Sequence, residues 1–122
     1  MYRSQVYEHF RIRLGTARQE QFHVLILDNK HRVIEEKMIT MGTLNQSLIH
    51  PREIFAPAIE LRAASVILIH SHPSGDTKPS QQDIEITKRL SEVGEIMGIK
   101  VMDHVIIGDG YFSFVDQEMM PV

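Results

Sequence analysis

The chain has 122 residues, 43% of them apolar and 24% charged, with a net charge of −3 and a pI near 6.1. That is enough for one compact domain with a core of its own and too little for two. The absence of cysteine excludes a disulfide scaffold, a thiolate zinc site and a thiol nucleophile, and the acidic balance argues against a domain built to grip phosphates.

In chain order, Ser4 is placed to cap a first helix with Val6, Tyr7, Phe10 and Leu14 on one side and Gly15 closing it. Residues 22–27, Phe-His-Val-Leu-Ile-Leu, read as a buried strand. Asp28-Asn29-Lys30 is turn chemistry, and residues 32–41 return as the second strand of an antiparallel hairpin. Pro51 suits the first turn of a helix carrying Ile54, Phe55, Ala58, Ile59 and Leu61. Ala64 to His70 is a continuous apolar run, the pattern of a central strand covered on both faces. After a polar loop with Pro73, Gly75 and Pro79, Ser80 reads as the N-cap of a helix with Ile86, Leu90, Val93 and Met97 on one stripe, ended by Gly98. Ile99 to Ile107 forms a further strand, Gly108-Asp109-Gly110 turns the chain, and Tyr111 to Val115 returns. The order α-β-β-α-β-α-β-β predicts a layered α/β domain with a mixed sheet. The longest apolar run, Val66 to Ile69, is far short of the ~20 residues that span a bilayer, so no membrane partner is expected. The polar opening residues lack a signal-peptide pattern, and a cytoplasmic location is the expectation.

The chemistry concentrates in His70-Ser71-His72-Pro73, followed by Ser80 and Asp83. In extended chain, residues i and i+2 point to one side, roughly 6.5–7 Å apart, so His70 and His72 can converge on one ion. Their place, where a buried strand leaves the sheet, is where α/β ligand sites open. Asp83, in the first turn of the next helix, can supply a third ligand and leave the fourth position to water, as catalytic zinc sites do. Two imidazoles and a carboxylate suit zinc without sulfur. The competing reading of Asp83 is structural: Ser80-x-x-Asp83 fits a capping box with Asp in the place usually held by Glu or Gln.

His-x-His-Pro, six residues, Ser80, two residues and Asp83 match the JAMM signature, and the chain resembles the RadC-like branch of JAB/MPN metallopeptidases. Gln19-Glu20-Gln21-Phe22, Gly42-Thr43-Leu44-Asn45, His50-Pro51-Arg52-Glu53, His72-Pro73-Ser74-Gly75-Asp76 and Asp103-His104 extend the likeness over nearly the whole chain. The resemblance implies a single domain over residues 1–122 with a three-layer α/β/α, cytidine-deaminase-like fold. It implies one zinc per chain on His70, His72 and Asp83, and hydrolysis of peptide, isopeptide or other amide bonds in a peptide or protein substrate. It places the catalytic glutamate at Glu20, where a carboxylate takes a proton from the zinc-bound water and delivers it to the leaving amine. The small residue usual three positions after that glutamate is His23 here. It also gives Ser80 a share in holding the oxyanion, beside its reading as an N-cap. RadC-like proteins commonly carry a preceding helical region, so the chain is expected to be a piece of a longer one.

Two other function classes stand beside this one. A DNA-repair-associated module would bind nucleic acid or a repair partner without hydrolysis; a basic cluster (Arg3, Arg11, Arg13, Arg18) speaks for it and the acidic balance against it. A non-catalytic interaction domain would keep the fold, but this chain retains every expected ligand. A nucleobase deaminase on a related fold is excluded, because that chemistry uses Pro-Cys-x-x-Cys. Asp103 and His104 read as strand residues in a tolerant place, or as a pair that holds a ligating histidine or relays a proton.

Overall fold

A computed structural model describes residues 2–15, 18–42 and 49–121. They form α1 (Tyr2–Gly15), β1 (Gln21–Leu27), β2 (Val33–Met41), α2 (Pro51–Glu60), β3 (Ser65–Ser71), α3 (Gln81–Met97), β4 (Lys100–Gly108) and β5 (Gly110–Ser113). The element order is the one expected from the sequence. Thr43-Leu44-Asn45, part of the likeness, lies outside the described residues. No described helix is long and apolar enough to cross a membrane.

The sheet runs β2-β1-β3-β4-β5. β1 pairs antiparallel with both β2 and β3, β3 pairs parallel with β4, and β4 pairs antiparallel with β5. β3 is central and every one of its residues is buried, as a continuous apolar run requires. Its alternation divides the core. Val66 and Leu68 join Phe22, Val24 and Ile26 of β1 under α2 and α3, which contribute Ile54, Phe55, Ala58, Ile86 and Leu90. Ile67 and Ile69 face the other way with Leu25, Leu27, Val105 and Ile107, under Val6, Phe10 and Leu14 of α1. The domain is therefore a three-layer α/β/α sandwich with one helix on one face and two on the other.

Three local expectations are corrected. α1 begins at Tyr2, so Ser4 lies inside the helix rather than capping it. The extra turn is held by tertiary contacts: the Tyr2 hydroxyl donates to Asp103 Oδ2 at 2.9 Å and Arg3 pairs with Asp116 at 2.6 Å. Met97 is 44% exposed. The buried stripe of α3 is instead Asp83, Ile86, Thr87, Leu90 and Gly94, and a Cβ on Gly94 would stand 2.5 Å from the Ile99 carbonyl oxygen. The last strand closes at Ser113, because the next residues turn, with Gln117 N–H donating to the Ser113 carbonyl. The expected stop of α3 holds: Gly98 takes the left-handed conformation at φ 72°.

Candidate metal centre

His70 continues the Val66–Leu68 face of β3 and therefore points toward α3. His72 follows one residue beyond the strand, its N–H donating to the Ile107 carbonyl at 2.9 Å. Asp83 enters from α3 because Ser80 caps that helix. The Ser80 hydroxyl accepts from Asp83 N–H at 3.1 Å, and the Asp83 carboxylate accepts from Ser80 N–H at 2.8 Å, so both arms of the capping box form. The structural reading of Asp83 is thus correct, and it coexists with a second set of contacts. His70 Nδ1 donates to Asp83 Oδ1 at 2.7 Å, and His72 Nε2 donates to Asp83 Oδ2 at 3.1 Å. Two imidazoles from the end of β3 converge on one carboxylate of zero exposure.

The proton positions follow from the partners. His72 Nδ1 faces the Asp76 carbonyl at 2.8 Å while Nε2 faces the carboxylate. Both ring nitrogens meet acceptors, so the ring carries both protons. Its pKa is accordingly raised, first by the hydrogen bond to Asp83. For Asp83, burial works to raise the pKa. The hydrogen bonds from His70 and His72 overcome it and hold the carboxyl far below the usual range.

Glu20 precedes β1 and is anchored by its carbonyl, which accepts from Gly42 N–H at 2.7 Å. It lines a cleft of about 250 Å³ together with His70, His72, Pro73, Ser74, Ser80 and Gln82. Ligand atoms of Glu20, His70 and His72 lie within 4.8 Å of one another. His23 turns to the opposite face of β1, packing at 5.5 Å against the Phe10 ring of α1, so it does not crowd the cleft. The Ser80 hydroxyl donates to Asp83 Oδ2 at 2.9 Å, so in this structure its proton faces that carboxylate rather than the cleft.

Two further residues stand at this site: His104, read from the sequence as a strand residue or as a partner of a ligating histidine, and Thr87, which the sequence did not single out. His104 on β4 has zero exposure, and ligand atoms of His70, Asp83 and His104 also lie within 4.8 Å of one another. Thr87, one turn after Asp83, bonds both the Asp83 carbonyl and His104 Nδ1 at 2.6 Å. Asp103 is equally buried and is bonded by Tyr2, Ser113 and the N–H groups of His104 and Val115. The place is therefore not a tolerant one. The available signal was an Asp-His pair inside an otherwise apolar strand.

Burial pushes His104 down to about 3. The unfolded imidazole titrates near 6.5, so between these values the unfolded chain binds a proton that the folded chain refuses. Metal-free protein should lose stability as pH falls through this window, by up to about 1.4 kcal/mol per pH unit from this residue. His72, with its raised pKa, works in the opposite direction: its contribution is complete below about pH 6.5 and fades as pH rises through its folded value. Urea midpoints in EDTA from pH 7 to 4 check this. The drop should be shallower in His104→Asn; equal slopes would show that His104 does not set it.

The basic cluster is largely neutralised. Arg3 meets Asp116, Arg11 meets Glu8 at 3.0 Å, and Arg13 meets Glu36. Larger grooves, of about 820 Å³ along α3 and about 540 Å³ along α1, contain none of the residues of the histidine–aspartate site.

The layering, the strand order and a histidine pair at the end of the central parallel strand define a domain of the JAB/MPN type. Residues 2–119 match the model of the RadC-like JAB domain, and the chain belongs to that family. It is 54% identical over 117 residues to a UPF0758 protein of Pelobacter propionicus, covering 95% of this chain and 51% of that one. A UPF0758 protein of Trichlorobacter lovleyi is 54% identical over 118 residues, with 96% and 51% covered. One of Rubrobacter xylanophilus is 51% identical over 108 residues, with 88% and 48% covered. The chain spans about half the length of these relatives.

Proposed function

We propose that this domain is a zinc-dependent hydrolase of amide bonds, acting on a peptide or isopeptide link in a peptide or protein substrate. The observation that carries the reading is the convergence of two imidazoles on one buried carboxylate, at a cleft that Glu20 also lines. The donor set fits zinc. His70 Nδ1 and His72 Nε2 each hydrogen-bond one oxygen of the Asp83 carboxylate, Oδ1 and Oδ2 respectively, and a cation can take the place of the protons they share. In this reading His70, His72 and Asp83 hold one ion per chain. Zinc, when bound, supplies a Lewis acid and brings the pKa of a ligated water from 15.7 to about 7.

The chain's own residues supply the rest. Glu20 takes a proton from the attacking water and hands it to the leaving nitrogen, which departs as a neutral amine. Asp83 keeps its charge because it is fixed from both sides, by the helix cap and by the imidazoles. Ser80 acts as donor to the carbonyl oxygen once its hydroxyl proton turns away from Asp83 Oδ2. The opposing arginine–carboxylate pairs on and near α1 favour no second, nucleic-acid reading.

The test is zinc stoichiometry. Protein stripped with chelator and reconstituted is expected to hold one zinc per chain. Because His72 must give up its Nε2 proton, affinity should weaken steadily as pH falls below the His72 value. Reconstituted protein should also cleave members of an internally quenched peptide or isopeptide library. Failure to retain stoichiometric zinc at pH 8 would end this reading, and steep salt-dependent DNA affinity in its place would support the repair-module alternative.

A further inference from the structure

The cleft lies where two paired strands part. β3 pairs with β1 as far as Phe22↔His70, and with β4 one residue further, to Ser71↔Ile107. His72 N–H then donates to the Ile107 carbonyl at 2.9 Å, so the histidine pair stays with β4. Past the Phe22–His70 pair, β1 and β3 are still tied through a side chain: Gln21 N–H donates to the Ser71 hydroxyl at 2.9 Å.

Ser71 is the middle residue of His70-Ser71-His72. Side chains alternate along a strand, so Ser71 takes the face of Ile67 and Ile69 while both imidazoles turn to the cleft. It has zero exposure. Packing alone asks only for a small side chain there, whereas a buried hydroxyl also needs a partner. The partner it has belongs to the peptide group that joins Glu20 to Gln21. That group is bonded at both ends. Its N–H donates to Ser71, and its C=O, the Glu20 carbonyl, accepts from Gly42 N–H at 2.7 Å at the end of β2. A peptide group is rigid and planar, so two such bonds fix its place between β2 and β3. Glu20 is carried by that peptide, and its carboxylate lies within 4.8 Å of ligand atoms on His70 and His72.

We propose that Ser71 is a positioning residue for Glu20. Its hydroxyl ties the peptide after Glu20 to the strand that carries both histidines, and so sets the distance between the carboxylate and the ion those histidines would hold. The inference rests on the readings of Glu20 as general base and of the histidines as ligands given above. The base and the ligands come from different strands, and a misplacement of about 1 Å between reacting groups can cost about 10²-fold in rate.

The test compares Ser71→Ala, which removes only the hydroxyl, with Ser71→Thr, which keeps it on a residue suited to a strand. Zinc affinity, read by competition with a chromophoric chelator, is expected to stay at the wild-type value in both, because β4 still holds His70 and His72. In Ala, kcat on whichever library peptide the wild type cleaves should fall about 10- to 100-fold with little change in KM, and Thr should recover most of it. Two readouts need no substrate. In metal-free protein the Gln21 amide should lose its protection from hydrogen exchange in Ala and keep it in Thr. In cobalt-loaded protein, paramagnetic relaxation of the Glu20 carboxylate carbon reports its distance from the ion; it should weaken in Ala and match wild type in Thr. If the added methyl of Thr is not accommodated, the Ala arm decides alone. Wild-type kcat or wild-type relaxation in Ala, a Gln21 amide still protected there, or zinc lost together with kcat would overturn the proposal. Full turnover in Glu20→Gln, or wild type that binds no metal, would remove the underlying reading first, and this inference with it.

Discussion

Asp83→Ala is expected to abolish zinc binding and to lower the unfolding free energy by about 3–5 kcal/mol even without metal, the range for removing one partner of a buried ion pair. The carboxylate has no exposure and accepts from four donors: His70 Nδ1, His72 Nε2, Ser80 N–H and the Ser80 hydroxyl. Truncation strands all four and leaves the His72 charge without its counter-ion. Against a typical total of about 5–15 kcal/mol, that is a large share. Asp83→Asn keeps the volume and one acceptor but aims an NH₂ group at donors, so it too should lose zinc, with a smaller stability loss. Urea unfolding at pH 7, with EDTA and with excess zinc, separates the two effects. Wild type should gain about 4 kcal/mol at a free zinc concentration 1,000 times its Kd, and both variants should gain nothing. An Asn variant that zinc still stabilises would remove Asp83 from the ligand set.

The sequence revealed the parts of this centre that depend on local rules. The apolar run into His70 marked a central strand, the i, i+2 spacing put His70 and His72 on one side, and Ser80-x-x-Asp83 announced a helix start. What it concealed was the face of β4 on which His104 stands, and the reason is geometric. Strict alternation along β4 from Val101, which faces α2 and α3, would put Asp103 on that face and His104 under α1. The register slips at this point: Val66 pairs with Val101 but Ile67 pairs with Asp103, leaving Met102 as an extra residue. That bulge reverses the faces. Asp103 turns to Tyr2 of α1, and His104 turns to Thr87 and His70. A bulge is set by pairing with a strand far away in sequence, so no local pattern contains it. Ser4 failed as a cap for a similar reason, since the start of α1 is fixed by Asp103 and Asp116, more than a hundred residues on.

Glu20→Gln separates catalysis from binding at this site. Gln has the shape of Glu and cannot take up a proton. The variant is expected to hold one zinc per chain with wild-type affinity, while turnover of whichever library peptide the wild type cleaves falls about 10²–10⁴-fold with little change in KM. The retention of zinc is the sharper half of the expectation. Glu20 reaches within 4.8 Å of ligand atoms on both histidines, so its carboxylate stands where a ligand could stand. The two roles differ in what they need from that oxygen: a ligand needs negative charge at the ion, a general base needs an empty proton site facing the cleft. Glu20 lines the cleft, whereas Asp83 lies beneath it with zero exposure and its oxygens already shared between imidazoles and helix cap. The buried carboxylate is the one built to hold charge permanently, and the one at the cleft is built to exchange protons with solvent. Parallel zinc titrations of Glu20→Gln and Asp83→Asn decide it. Loss of zinc in the Gln variant and retention in the Asn variant would reverse the two assignments.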